Sequence, residues 1–159
     1  MHTTLIRNEK NGIYFFFLAN IMRIAGIDNR HIGSVIRKLE GRKEELLATK
    51  ELITQEEVDE IKNLRLHQKW YNIKPILPVA SGWFHPGILP ELFYIYGMTN
   101  IVIQVGGVIY GHPIGIEAGD RAVVQAIEEY KQVISLEECT EKHKELEVFL
   151  ETWCKEKPR

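Results

Sequence analysis

Three short apolar runs, each followed by a glycine-bearing turn and an amphipathic stretch, constrain the fold of this chain more than any other feature. The runs are Arg30 to Val35, Ile76 to Ala80 and Ile101 to Val105. Each is bounded by turn residues, as expected of a parallel strand covered on both faces. Strands that alternate with helices are joined by right-handed crossovers, so the pattern predicts an α/β fold with three parallel strands and flanking helices.

The intervening stretches carry helical periodicity. Between Ile13 and Ala25, residues Phe17, Leu18, Ile21, Ile24 and Ala25 recur at helical spacing and predict one apolar face, with Gly26 as the stop. A second helix is expected over Glu44 to Ile53, and Thr54 with Glu57 has the form of a capping box for a further turn or two. The stretch Leu66 to Tyr71 fits neither period. Pro86 and Pro90 mark a helix start before Leu92, Phe93 and Ile95. Beyond Pro113 and Gly115, residues Ala122, Val123, Ala126, Ile127, Tyr130 and Ile134 draw a stripe. Ser135, with Glu138 three residues on, then caps a last helix carrying Leu146, Phe149, Leu150 and Trp153.

Composition narrows the possible functions. The chain has 159 residues, 45% of them hydrophobic, which is the length of one ordinary domain with enough apolar surface for a core. A formal net charge of −2 provides no basic face for nucleic acid and no acidic tail. The apolar run Ile13 to Ala19 is too short to cross a bilayer and no cleavage site follows it, so no membrane contact and a cytoplasmic location are expected. Cys139 and Cys154 are unpatterned and expected to be reduced. His2, His67, His85, His112 and His143 lack metal-ligand spacing and are assigned structural or surface roles.

Chemistry is expected in the loops after the strands, because folds of this kind gather ligands at the carboxyl ends of their strands. Gly106-Gly107 lets backbone N–H groups approach an anion closely, and Ser81-Gly82 does the same while adding a hydroxyl donor. Lys38, between Gly33 and Gly41, brings a positive charge on a loop able to close over a ligand. Singly these features are ordinary: a Gly-Gly after a strand is a tight turn, a lone lysine is a solvated one, and His31 is a strand-end histidine. Together they describe an anion pocket with one mobile cation.

The segments Asp28-Asn-Arg-His-Ile-Gly-Ser-Val-Ile-Arg-Lys-Leu-Glu-Gly41, Leu77-Pro-Val-Ala-Ser-Gly82 with His85-Pro-Gly87, and Gln104-Val-Gly-Gly107 with Gly111-His-Pro113 resemble the large subunit of ribulose bisphosphate carboxylase/oxygenase (RuBisCO). They follow that family's order and spacing. Ala118-Gly-Asp-Arg-Ala-Val-Val-Gln-Ala-Ile127 and Lys142-His-Lys-Glu145 resemble its archaeal, form III branch. Met1-His2 and Arg7 through Gly12 resemble the start of the helix after the family's fifth barrel strand, so the likeness covers nearly the whole chain.

The resemblance implies the C-terminal portion of a TIM (β/α)8 barrel, with equivalents of strands six to eight. Residues 1–134 would form this partial barrel and residues 135–159 a C-terminal helical extension. It implies that Lys38 is the mobile-loop lysine that orients carbon dioxide and stabilises the developing carboxylate. His31 would hold one substrate phosphate and Ser81 the sugar backbone, while Gly82, Trp83, Gly106 and Gly107 would contact the other phosphate. The family's base lysine, its carbamylated lysine and its acidic metal ligands lie on earlier strands and have no counterpart here, and its phosphate-binding His-Arg pair would precede Met1. Mg²⁺ is therefore expected as a cofactor of the complete enzyme and not of this chain alone, since a hard dication needs several convergent oxygens. The implied partners are ribulose 1,5-bisphosphate and carbon dioxide in the complete enzyme, the remaining barrel strands and a neighbouring large subunit. Three strands cannot close a barrel, which predicts two uncovered sheet edges and a truncated enzyme inactive alone.

Three positions depart from the family pattern. Arg37 stands where its mobile loop has glycine, Trp83 replaces a glycine beside the phosphate strip, and Val108 replaces the third glycine of a triplet, where a β-branched residue disfavours positive φ. Two other readings follow: a non-catalytic remnant or interaction module with residual phosphate binding, and a RuBisCO-like enolase or isomerase. Retention of Lys38 opposes the second of these.

Overall fold

The computed structural model describes residues 12–33, 43–82, 84–97, 100–132 and 142–153. The chain divides into two compact units, residues 1–79 and 80–159. Three strands, β1 (Asn29–Gly33), β4 (Leu77–Ser81) and β5 (Val102–Gln104), form one parallel sheet in the order β1-β4-β5, and β4 crosses the point of division. The three runs read as strands are thus strands, and the α/β class with flanking helices holds. Val35, the expected end of the first, lies outside the described residues.

In the first unit, α1 (Phe15–Ile24) precedes β1 and α2 (Lys43–Thr54) follows it. Gly26 ends the first helix as expected: its φ of +73° is open to glycine, and its N–H donates to the Arg23 carbonyl. The buried face of α1 differs from the expected stripe. Phe16, Ala19 and Arg23 are buried, whereas Phe17, Ile21 and Ile24 are 58%, 46% and 66% exposed. The cause is Arg23, whose Nη1 donates to the carbonyls of Leu52 and Gln55 at 2.7 Å each and whose Nη2 donates to that of Ile73 at 3.1 Å. Its guanidinium also lies over the Trp70 ring, 4.3 Å from the centroid. Carbonyls at the end of a helix lack intrahelical donors, so the cation that satisfies them fixes which face of α1 turns inward.

The capping box expected at Thr54 and Glu57 does not form. Thr54 is the last residue of α2, and its hydroxyl donates back to the Lys50 carbonyl at 2.8 Å. Glu57 instead opens β2 (Glu57–Val58), which pairs antiparallel with β3 (Gln68–Lys69) in the register Glu57 to Lys69 and Val58 to Gln68. The Glu57 carboxylate lies 3.0 Å from His67 Nε2 and 3.2 Å from Lys69 Nζ, so cross-strand pairing wins over helix capping. Those contacts, led by the His67 hydrogen bond, hold the carboxyl below its usual range.

In the second unit, a 3-10 turn (Pro86–Ile88) leads into α3 (Leu89–Tyr96), as the two prolines predict. After β5 come the short α4 (Gly106–Tyr110), α5 (Ile116–Lys131) and α6 (Lys144–Trp153). Ala122, Val123 and Ala126 of the expected stripe are buried on α5, and Tyr130 meets Phe93 with ring centroids 5.1 Å apart. Leu146 and Phe149 are fully buried on α6. Ile134, the Ser135 and Glu138 cap and the boundary expected at 134/135 lie outside the described residues.

Candidate functional site

β4 and β5 are neighbours in the sheet, so their carboxyl ends stand one strand spacing apart, about 4.8 Å in the hydrogen-bonding direction. Ser81 is the last residue of β4, and Gly82 follows with φ +142°, a conformation that side-chain-bearing residues rarely adopt. Gly106 and Gly107 are the first two residues of α4, just past β5. The second unit thus brings Ser81, Gly82, Gly106 and Gly107 to the ends of two adjacent strands.

The two glycines of α4 serve by being small, not by being left-handed. Neither has positive φ, and a Cβ built on either would meet nothing within 4 Å. Open space therefore borders the backbone at both residues, as a closely approaching ligand requires. Val108, expected to be strained in place of a glycine, is not: it lies inside α4 with its side chain buried and without positive φ.

His31 belongs to the first unit. It is the middle residue of β1 and exposed, between the buried Arg30 and Ile32, so strand alternation sends it to the face opposite theirs. Gly33 ends that strand with φ +92°, where a side chain would be strained, and a Cβ there would also crowd Leu46 Cδ2 at 3.0 Å. Lys38, Arg37 and Trp83 lie outside the described residues.

Arg30, on the face of β1 opposite His31, was not anticipated. Its side chain is buried against α1, with the guanidinium 4.2 Å from the Phe15 ring centroid and Nη2 donating to the Phe15 carbonyl at 3.4 Å. Nη1 is buried without a partner, and none of the ion pairs among the described residues involves this arginine. Burial lowers its pKa to about 10. Its place beside Ile32, two positions along on the same buried face of β1, was the signal in the sequence.

The remaining described histidines have visible structural roles, and His2 lies outside the described residues. His67 pairs with Glu57, His143 Nε2 lies 3.0 Å from Glu129 Oε1, His85 stacks on Phe149, and His112 is buried with Nε2 3.0 Å from the Glu145 carbonyl.

Residues 1–153 match the family described as ribulose bisphosphate carboxylase large chain, catalytic domain. The chain belongs to this family. The ribulose bisphosphate carboxylase of Thermococcus onnurineus is 44% identical over 156 residues, which are 96% of this chain and 35% of that protein. That of Methanosarcina barkeri is 38% identical over 157 residues, 98% of this chain and 36% of the relative. Among solved structures, a dimeric archaeal RuBisCO from Hyperthermus butylicus superposes with a TM-score of 0.86 at 40% identity, covering 96% of this chain and 35% of that one. An octameric RuBisCO from Pyrococcus horikoshii gives a TM-score of 0.79 at 34% identity, covering 99% and 35%. The chain therefore spans about a third of the length of the RuBisCO large chains it matches.

Whether these residues suit the divalent cation that the resemblance implies is a question of donor chemistry. Ser81, His31 and the glycine amides offer a hydroxyl, an imidazole and N–H groups, whereas Mg²⁺ takes an octahedron of oxygens led by carboxylates. Among the described residues no group of three or more His, Cys, Asp or Glu side chains converges as a metal site. The residues present fit an anion and do not fit the ion.

Proposed function

We propose that this chain supplies the phosphate-binding, C-terminal part of a ribulose-1,5-bisphosphate carboxylase active site. The observation that carries the reading is the open backbone at Gly106 and Gly107, one strand away from Ser81-Gly82, in a chain of the RuBisCO large-chain family. In this assignment the amides of Gly82, Trp83, Gly106 and Gly107 hold one phosphate of ribulose 1,5-bisphosphate, and the Ser81 hydroxyl hydrogen-bonds the sugar backbone. His31 meets the other phosphate. Lys38 brings its ammonium to the carbon dioxide and stabilises the carboxylate that forms. The reaction of the completed enzyme is enolisation of the bisphosphate, addition of carbon dioxide, hydration and cleavage to two molecules of 3-phosphoglycerate.

The metal-dependent step belongs to residues outside this donor set. The working assembly then requires the remaining barrel strands and a neighbouring large subunit, in keeping with the dimeric and octameric states of the solved relatives. A form III enzyme acting in the cytoplasm is the setting this reading assigns.

Gly107→Ala tests the assignment. The added methyl meets nothing within 4 Å and no positive φ, so the fold keeps its stability, while the methyl occupies the space through which a phosphate reaches the backbone. Affinity for ribulose 1,5-bisphosphate, followed at the Gly106 amide by NMR, should fall about tenfold, equivalent to about 1.4 kcal/mol. Unchanged affinity in a fully folded variant refutes the site.

A further inference from the structure

A helix of five residues has no stability of its own, so the place of α4 and of its glycines must be set by what packs on it. Among the described residues three contacts bear on α4 and on the turn at Gly111 and His112 that follows it, all within the second unit. On α5, a Cβ at Gly119 would lie 2.4 Å from the Ile109 carbonyl oxygen, 2.8 Å from Ile109 Cα and 3.0 Å from His112 Cβ, so glycine alone allows this approach. The other two contacts come from α6.

The first is His112. The Ile114 N–H donates to its Nδ1 at 3.1 Å, which leaves the proton on Nε2, and Nε2 donates to the Glu145 carbonyl on α6 at 3.0 Å. The second is Trp153, whose Cζ2 lies 3.4 Å from the place a Cβ would take on Gly111. The Gly111 N–H in turn donates to the Gly107 carbonyl at 3.2 Å, so the indole covers the residue whose amide holds Gly107. Phe149 fills the space between, with ring centroids 5.8 Å from His112 and 6.4 Å from Trp153.

Glu145, Phe149 and Trp153 are spaced four residues apart and share one face of α6. That face is anchored on α5: Gln125 Nε2 donates to Glu145 Oε2 at 3.2 Å, and Arg121 Nη1 lies 3.6 Å from Glu145 Oε1.

We propose that α6 is a positioning element for the glycine turn, holding Gly106 and Gly107 in register through His112 and Trp153. The substrate-phosphate role of the turn rests on the function proposed above; the positioning itself does not. Trp153 is 40% exposed, so a merely structural view assigns its ring little weight, whereas the positioning view makes it the cover of a specific amide.

Hydrogen exchange on the full ¹⁵N-labelled chain separates the two. In Trp153→Ala the Gly111 amide should exchange about tenfold faster while the amides of Ala122 and Ala126 on α5 keep their protection, and Trp153→Phe should restore the parent rate. Trp153→Leu, which keeps apolar bulk without the flat ring, guards against loss of the fold and should also release Gly111. An unchanged Gly111 rate in a variant with α5 protected overturns the proposal. Titration with inorganic phosphate tests the underlying reading separately. If the Gly106 and Gly107 amides of the parent do not shift, the phosphate role falls and the exchange result still decides the positioning. If they shift with equal affinity in parent and Trp153→Ala, α6 does not position the site.

Discussion

Arg23 and Arg30 are both buried, and they should respond to removal in opposite directions. Arg23 donates to three backbone carbonyls and stacks on Trp70. Arg23→Met strands those carbonyls in the core and should destabilise the chain by about 2–4 kcal/mol, read by urea unfolding. Among the described residues Arg30 has one long hydrogen bond, a ring beneath it and a buried Nη1 with no acceptor. Its charge is poorly repaid, and Arg30→Met should stabilise by about 1–2 kcal/mol at neutral pH. The pH dependence has a definite sign. With its pKa lowered to about 10 in the folded chain, the charged form costs most below pH 10. Between there and the ordinary arginine value, which lies above about 12, the unfolded chain binds more protons, so rising pH favours folding. The advantage of Arg30→Met should therefore shrink above pH 10, and an advantage that grew with pH would contradict a buried unpaired cation.

At the scale of elements, Gly119 of α5 faces Ile109 of α4 with no room for a side chain. Gly119→Ala places a methyl 2.4 Å from a backbone oxygen, which cannot yield as a side-chain tip does. The helices must separate, at a cost of about 1–3 kcal/mol by thermal or urea unfolding, with weaker phosphate binding as α4 shifts. This contact was not legible in the sequence, because nothing in the periodicity of α5 distinguishes a glycine needed for close approach from a tolerated one. The strands were legible, since apolar runs bounded by turn residues have few alternatives, and so was the core face of α5, where period and burial coincide. The face of α1 was not: its most apolar stripe is exposed because a single arginine found three carbonyls on the opposite side. Thr54 and Glu57 misled for a related reason, as a capping pattern is local and the Glu57 to Lys69 pairing is not. For the proposed site, the strand-end placement of Ser81, Gly82, Gly106 and Gly107 was legible from the strand-turn-helix pattern and their proposed roles only from the family resemblance, whereas the contacts of Arg30, His112 and Trp153 lie with partners that one-dimensional spacing does not reveal.

For the whole molecule, the sheet described here has β1 and β5 at its edges, and the chain spans about a third of the length of the RuBisCO large chains it matches. The strand-end amides and hydroxyl of the proposed site suit a phosphate, whereas enolisation needs a general base and, when bound, the divalent cation would supply electrostatic stabilisation of the charge that develops. Binding and turnover should therefore separate: the chain alone is expected to give no incorporation of labelled bicarbonate with ribulose 1,5-bisphosphate and Mg²⁺. Supplied with the remaining strands of a form III relative, it should regain carboxylation. In that completed enzyme the role assigned to Lys38 makes a sharper demand. An ammonium that acts only after the enediol forms stabilises charge on the incoming carboxylate and contributes nothing to the earlier proton removal. Lys38→Met should then abolish carboxylation while the exchange of the substrate C3 proton with solvent continues at a comparable rate. Equal loss of both steps would move Lys38 from the carbon dioxide to the enolisation step or to substrate binding, a distinction that the KM for ribulose 1,5-bisphosphate in the exchange reaction would resolve.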